Sequence, residues 1–147
     1  MSQAPEERLL QSVGTLLSLF TVNEDRFPSA EGQMRYNPID FQTLRYIDDH
    51  PGCRGIDIAR AIGVAPTTLQ SALDRMIRNG IVERTNHPTS RRAKAHQLTP
   101  TGQKIRGAIH RQDLANMRVM LDALTGSEQA EVMRLLEKIV QHLNVGD

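Results

Sequence analysis

The stretch PTTLQSALDRMIRNGIVERTNHPTSRRAKAHQLTPTG, residues 66–102, decides the fold. Its first part reads as a helix opened by Pro66 and ended by Asn79-Gly80. Leu69, Leu73, Met76 and Ile77 recur at i, i+4, i+7 and i+8, with Ala72 on the same core stripe. Two short runs of strand character follow, IVERT and AHQLT. They flank a polar loop that carries Arg91, Arg92 and Lys94. Thr99-Pro100 then starts another helix.

Working outward, GIDIARAIGV before this stretch is a short helix with Ile58, Ala59 and Ile62 inward and Gly63 as its stop. The tight Gly63-Val64-Ala65 turn joins it to residues 66–80, which makes a helix-turn-helix. A strand, loop and strand directly after it make the winged variant. Further upstream, Asn37-Pro38 is an N-cap followed by proline at the first helical position. Phe41, Leu44 and Ile47 form the buried side of that helix. Residues 23–37 are polar and read as a long loop. Before them Leu9, Val13, Leu16, Leu17 and Phe20 share one face of a first helix. Downstream, the helix from Thr99-Pro100 runs to about Leu124. Thr125-Gly126-Ser127-Glu128 has the form of a capping box, and Val132, Leu136, Ile139, Val140 and Leu143 mark the last helix.

The formal net charge of +1 hides an asymmetry. Residues 65–106 hold eight basic side chains and two acidic ones, so this segment is +6 and the rest of the chain −5. Such a segment is the footprint of a polyanion partner. Around the helix 66–80, the face opposite the core presents Thr67, Thr68, Ser71, Asp74, Arg75 and Arg78, with Gln70 on the flank. Small hydroxyl residues permit close approach to a major groove. Gln70 suits adenine and Arg75 guanine, while Arg78 suits a phosphate. A neighbouring wing would reach the minor groove, where arginine meets negative potential.

These residues carry a likeness. The segment from IDIARAIGV through LTPTG resembles the MarR family of winged helix-turn-helix regulators. LDRMIRNGIVER is similar to that family's DRLxxxGLVxR run, and LTPTG to its LTxxG. The resemblance implies a mainly α fold with a small β wing, comprising a winged helix-turn-helix domain and a helical dimerisation domain. The implied order is two helices, a short strand at Cys53, two helices, strand, wing, strand and two helices. The DNA-binding domain would span 37–106, with the dimerisation region in 1–36 and 107–147. Broad apolar faces on the terminal helices agree with a homodimer, because one chain of 147 residues would struggle to bury them all.

The implied function is a homodimeric, sequence-specific transcriptional regulator, a repressor, that reads a pseudo-palindromic operator in double-stranded DNA. Pro66, Thr67, Thr68, Gln70, Ser71, Arg75 and Arg78 of the recognition helix and Arg91, Arg92 and Lys94 of the wing, 86–95, would contact DNA. In relatives an acid of the recognition helix pairs with a wing arginine, which implies an Asp74–Arg92 salt bridge and leaves Arg91 for the minor groove. The family's wing has Asp where this chain has Ser90, so one brace of the wing is missing. The resemblance also implies a small-molecule effector, an aromatic acid or a phenolic. Phe20, Arg35, Tyr36, Tyr46, His50, His110 and Arg111 are the candidate lining residues.

Two other functions fit the pattern: a winged-helix module for protein contact, and a thiol redox switch through Cys53, whose neighbour Arg54 would lower its pKa. The single cysteine excludes an internal disulfide framework, and the five histidines lack metal-ligand spacing, so no metal is expected. No phosphate loop or nucleophile elbow is present, so neither a cofactor nor catalysis is expected. MSQAPEERLLQ is not a secretory signal and no apolar run is long enough to span a bilayer, which points to the cytoplasm.

Overall fold

The computed structural model describes residues 2–21 and 37–144, without the side chains of Phe20 and Thr21. In chain order the elements are α1 (Pro5–Thr21), α2 (Pro38–Asp49), α3 (Gly55–Ile62), α4 (Pro66–Arg78), β1 (Val82–His87), β2 (Ser90–Leu98), α5 (Pro100–Leu121) and α6 (Gly126–Asn144). The chain forms two compact units, Met1–Gln112 and Asp113–Asp147.

Local chemistry sets the helix ends. Asn37 caps α2, its side-chain oxygen accepting from the amides of Ile39 and Asp40 at 3.0 and 3.3 Å. Asp57 reaches back to the Arg54 amide at the start of α3, and Gly63, at φ 74°, ends that helix in the left-handed conformation. Thr125 and Glu128 form the expected reciprocal box before α6. α5 ends at Leu121, three residues before the expected Leu124, and residues up to the box form the connection.

Helices α2, α3 and α4 pack on one another and on the β1–β2 hairpin. Leu44, Ile47, Ile58, Leu69, Leu73, Met76 and Val82 are fully buried there. The expected α4 stripe lies in this core, with Ile77 at its margin. The expected short strand at Cys53 is one residue long: Cys53 bridges His96, with the His96 amide donating to the Cys53 carbonyl at 2.9 Å.

The hairpin differs from its sequence reading. Only Pro88 and Thr89 separate the strands, so Arg91, Arg92 and Lys94 belong to β2 and not to a loop. Pairing runs in register from Val82↔Leu98 to Asn86↔Lys94, then jumps to His87↔Ser90. One step on β1 therefore faces four on β2, and Arg91, Arg92 and Ala93 form a bulge. A bulge bends its strand and re-aims the side chains on it. Ser90 Oγ accepts from the Ala93 amide at 3.3 Å across this bulge. The hydroxyl thus supplies a local tie at the position where the resemblance expected a carboxylate.

The motif LTPTG has a steric explanation. Leu98 is buried opposite Val82. Thr99 Oγ1 donates toward the carbonyls of Gly80 and Ile81 and accepts from the Gly102 amide at 3.0 Å. Gly102 lies so close to the start of β1 that an added Cβ would stand 2.1 Å from the Ile81 carbonyl oxygen.

The terminal helices keep apolar side chains uncovered in the single chain. On α1, Leu9, Leu10, Val13, Leu16 and Leu17 are exposed; on α6, Leu136, Ile139, Val140 and Leu143 are, and α6 buries no residue.

Candidate nucleic-acid interface

α4 begins without a side-chain cap. Its N-cap is Ala65, which makes no side-chain cap hydrogen bond. Pro66 removes one donor from that turn, and the remaining exposed N–H groups are free to meet an anion. Thr67, Thr68 and Ser71 are exposed on this end, with Ser71 Oγ donating to the Thr67 carbonyl at 3.3 Å. This half of the helix is uncharged and sterically open.

Gln70, Asp74 and Arg84 form a chain of contacts from α4 to β1. Gln70 Nε2 donates to Asp74 Oδ1 at 2.8 Å, and the same oxygen lies 3.7 Å from Arg84 Nη1. Asp74 of α4 is thus braced by Arg84 and not, as expected, by Arg92. Strand register explains the difference. Arg84 faces His96 at the base of the ribbon, whereas Arg92 lies in the bulge of β2. Arg84 was missed as a bracing residue, although it closes the IVER run that carried the resemblance.

Arg75 is also placed differently. Its Nη2 donates to Asp40 Oδ1 of α2 at 2.5 Å. Asp40 is a buried acid, 7% exposed, so Arg75 turns one arm of its guanidinium toward α2. Arg78, Arg91 and Arg92 are exposed, and Lys94 Nζ donates to Asn86 Oδ1 across the ribbon at 2.6 Å. Arg54, Ile56, Gln70, Arg84, Arg92 and Lys94 line a groove between the start of α3, α4 and the wing. Arg54 and Ile56 were not anticipated. Arg54 is held by Asp57 through two side-chain hydrogen bonds of 2.9 Å, which lower the Asp57 pKa.

Beneath this surface His96 is 3% exposed. Its Nδ1 lies 3.1 Å from the Cys53 carbonyl, and its buried Nε2 meets no partner among the described residues. Burial pushes its pKa below the ordinary 6.5, and the nearby Arg84 charge acts in the same direction. Cys53 moves opposite to its expectation. Burial, with a small addition from Asp57, pushes its thiol up to about 11, while Arg54 is engaged by Asp57.

Of the expected effector residues, Tyr46 and His50 are brought together. Their rings stack at 4.2 Å, and His50 Nδ1 lies 3.1 Å from the Tyr46 carbonyl. His110 and Arg111 are exposed on α5. Arg35, Tyr36 and the Phe20 side chain lie outside the described residues. No three His, Cys, Asp or Glu side chains gather as a metal site would require among the described residues.

The sequence profile of the MarR family matches residues 36–93. The transcriptional regulator HosA of Escherichia coli O111:H- is 30% identical over 100 residues, which is 68% of this chain and 74% of that protein. The chain belongs to the MarR family. Membership makes it a DNA-binding transcriptional regulator with a winged helix, and not an enzyme. Two solved structures share this MarR fold. FabT of Streptococcus pneumoniae, solved in complex with DNA, is similar with a TM-score of 0.78 and 22% identity, covering 97% of this chain and 96% of its own. PcaV of Streptomyces coelicolor, solved with its natural ligand, has a TM-score of 0.63 and 20% identity over 96% and 98%. No helix among the described residues of this MarR-family chain is long and apolar enough to cross a membrane.

Proposed function

We propose that this chain acts as a homodimeric repressor that reads a pseudo-palindromic operator and is released by a small-molecule effector. The observation that carries the reading is the uncapped, uncharged start of α4 beside a bulge that presents Arg91 and Arg92. The first suits base edges and a phosphate in the major groove, the second the minor groove and its flanking phosphates. Pro66, Thr67, Thr68, Gln70 and Ser71 are the proposed groove residues. Arg78, Arg91, Arg92 and Lys94 are the proposed phosphate and minor-groove contacts. That FabT was solved with DNA supports the assignment.

Residues 37–106 are the proposed DNA-binding domain, with 1–36 and 107–147 supplying dimerisation. The exposed leucines of α1 and α6 support a second copy as their cover, since contiguous apolar faces of this size mark association surfaces. An aromatic acid or phenolic is the proposed effector; that PcaV was solved with its natural ligand supports a bound small molecule, and the Tyr46–His50 stack is consistent with part of the proposed lining. The cytoplasm is the proposed location.

The test is selection of bound duplexes from a random library by the purified protein at near-physiological salt. The expected product is an inverted repeat with half-sites about 10 bp apart centre to centre. Failure to enrich any sequence, with affinity indifferent to salt, would remove the DNA-reading assignment and favour a protein partner for the wing.

A further inference from the structure

Arg75 is the residue that a sequence reading assigns to a guanine, yet one arm of its guanidinium is already engaged. Asp40, in the first turn of α2, accepts from Arg75 Nη2 at 2.5 Å across 35 residues of sequence. The Asp40 side chain is 10% exposed and that of Arg75 44%, so the pair is anchored at the acid end. Asp40 is held from its backbone as well, its amide donating to the Asn37 cap. Drawing Arg75 away would leave the Asp40 carboxyl group, 10% exposed, without its cation, which is unfavourable. A phosphate contact made at the protein surface, where water and salt screen it, returns less.

Position along the helix agrees. Arg75 is the tenth residue of α4, roughly 13 Å along the axis from Pro66, while a recognition helix reads bases with its N-terminal residues. Side chains on a helix also lean toward its N-terminus, but this one crosses to α2 instead.

We propose that Asp40 is a positioning residue that withholds Arg75 from DNA, fixing α4 on α2 and removing one cation from the contact surface. Recognition is then left to the uncharged start of α4 and to the wing. The inference rests on the DNA-reading surface proposed above.

The experiment measures affinity for a nonspecific duplex of fixed length against salt concentration, for wild type, Asp40→Asn, Arg75→Met and the double variant. The slope of log affinity against log salt changes by about 0.9 for each phosphate that a protein cation neutralises. The expected result is an unchanged slope for Arg75→Met and a slope steeper by about 0.9 per copy for Asp40→Asn. The double variant should return to the wild-type slope, which assigns the steepening to the freed Arg75. A shallower slope for Arg75→Met, or no steepening for Asp40→Asn, overturns the proposal. If Arg75→Met does not fold because Asp40 is left unpaired, the double variant removes both charges and is compared with wild type directly. An unchanged slope supports the proposal, a shallower one refutes it. Wild-type protein with no salt-dependent DNA affinity would instead overturn the DNA-reading surface itself, and the two failures are therefore distinct.

Discussion

Replacing Gly102 by alanine should destabilise the protein by about 2–4 kcal/mol, although alanine is the better helix former. The new Cβ would stand 2.1 Å from the Ile81 carbonyl oxygen, 3.1 Å from the Ile81 carbonyl carbon and 3.3 Å from Leu98 Cβ. Relief requires a shift of roughly 1 Å, since a carbon and an oxygen repel strongly inside their contact distance. The Ile81 carbonyl cannot yield freely. It accepts from the Thr99 amide at 3.0 Å and from Thr99 Oγ1 at 3.1 Å. Two hydrogen bonds at about 1 kcal/mol each, plus overpacking of about 1–3 kcal/mol, less about 1 kcal/mol of helix propensity, give the stated range. For a chain of this length that is a fall in melting temperature of roughly 5–15 °C. Thermal melts by circular dichroism at one protein concentration would measure it. Gly55→Ala is the control, because its added Cβ would make only ordinary contacts, 3.7 Å from Leu73 Cδ1 and 3.9 Å from His96 Cε1, and it should be close to neutral. A Gly102→Ala variant that melts within about 2 °C of wild type would refute the steric account of the motif.

Other outcomes follow from the site. With a thiol pKa of about 11, Cys53 is thiolate in about one molecule in ten thousand at neutral pH, so peroxide should affect DNA binding equally in wild type and Cys53→Ser. Loss of peroxide sensitivity in the variant alone would restore the redox reading. Arg91→Ala should weaken DNA binding and flatten its salt dependence by about 0.9 for each phosphate that Arg91 neutralises; unchanged affinity and slope would take Arg91 out of the interface. His96 has a folded pKa below its ordinary 6.5, so the unfolded chain binds more protons in the window between the two. Its contribution to stability is complete above pH 6.5 and is lost as pH falls through the window toward the folded pKa. Urea unfolding at pH 8 and pH 5 should show a smaller acid loss for His96→Gln than for wild type, and equal losses would contradict a buried neutral imidazole.

What could be read from the sequence was what short spacing determines. The caps at Asn37 and Thr125, the Gly63 stop and the core stripe of α4 each depend on residues within one or two turns, and each stands where it was expected. The wing was legible as a hairpin but not in its register. Whether Arg91 and Arg92 lie in a loop or on a bulge depends on which residue of β2 faces Asn86, and that is a property of the pair of strands. The same register decides that Asp74 meets Arg84. The Asp40–Arg75 pair joins residues 35 apart and depends on how α2 crosses α4, which no local pattern encodes. For the effector residues, Arg35, Tyr36 and the Phe20 side chain lie outside the described structure, so geometry speaks only to the other four.

The pairings also change what the charge asymmetry means. Of the eight cations in residues 65–106, Arg75 is paired with Asp40, Arg84 with Asp74 and Arg106 with Asp48. Asp40 and Asp48 lie outside that segment, so counting them lowers its effective charge from +6 to +4. The cations left to face a polyanion beside α4 are Arg78 at its end and Arg91, Arg92 and Lys94 on β2. The first half of α4 contributes none. On the proposed reading the two tasks are therefore divided by element. The wing and the end of α4 supply the sequence-independent, salt-sensitive attraction, while Thr67, Thr68, Gln70 and Ser71 approach the bases without a charge that would bind any sequence equally. Asp40 and Asp74 hold two arginines in the framework that keeps α4 in place, and this is how a basic segment can serve discrimination between sequences as well as affinity.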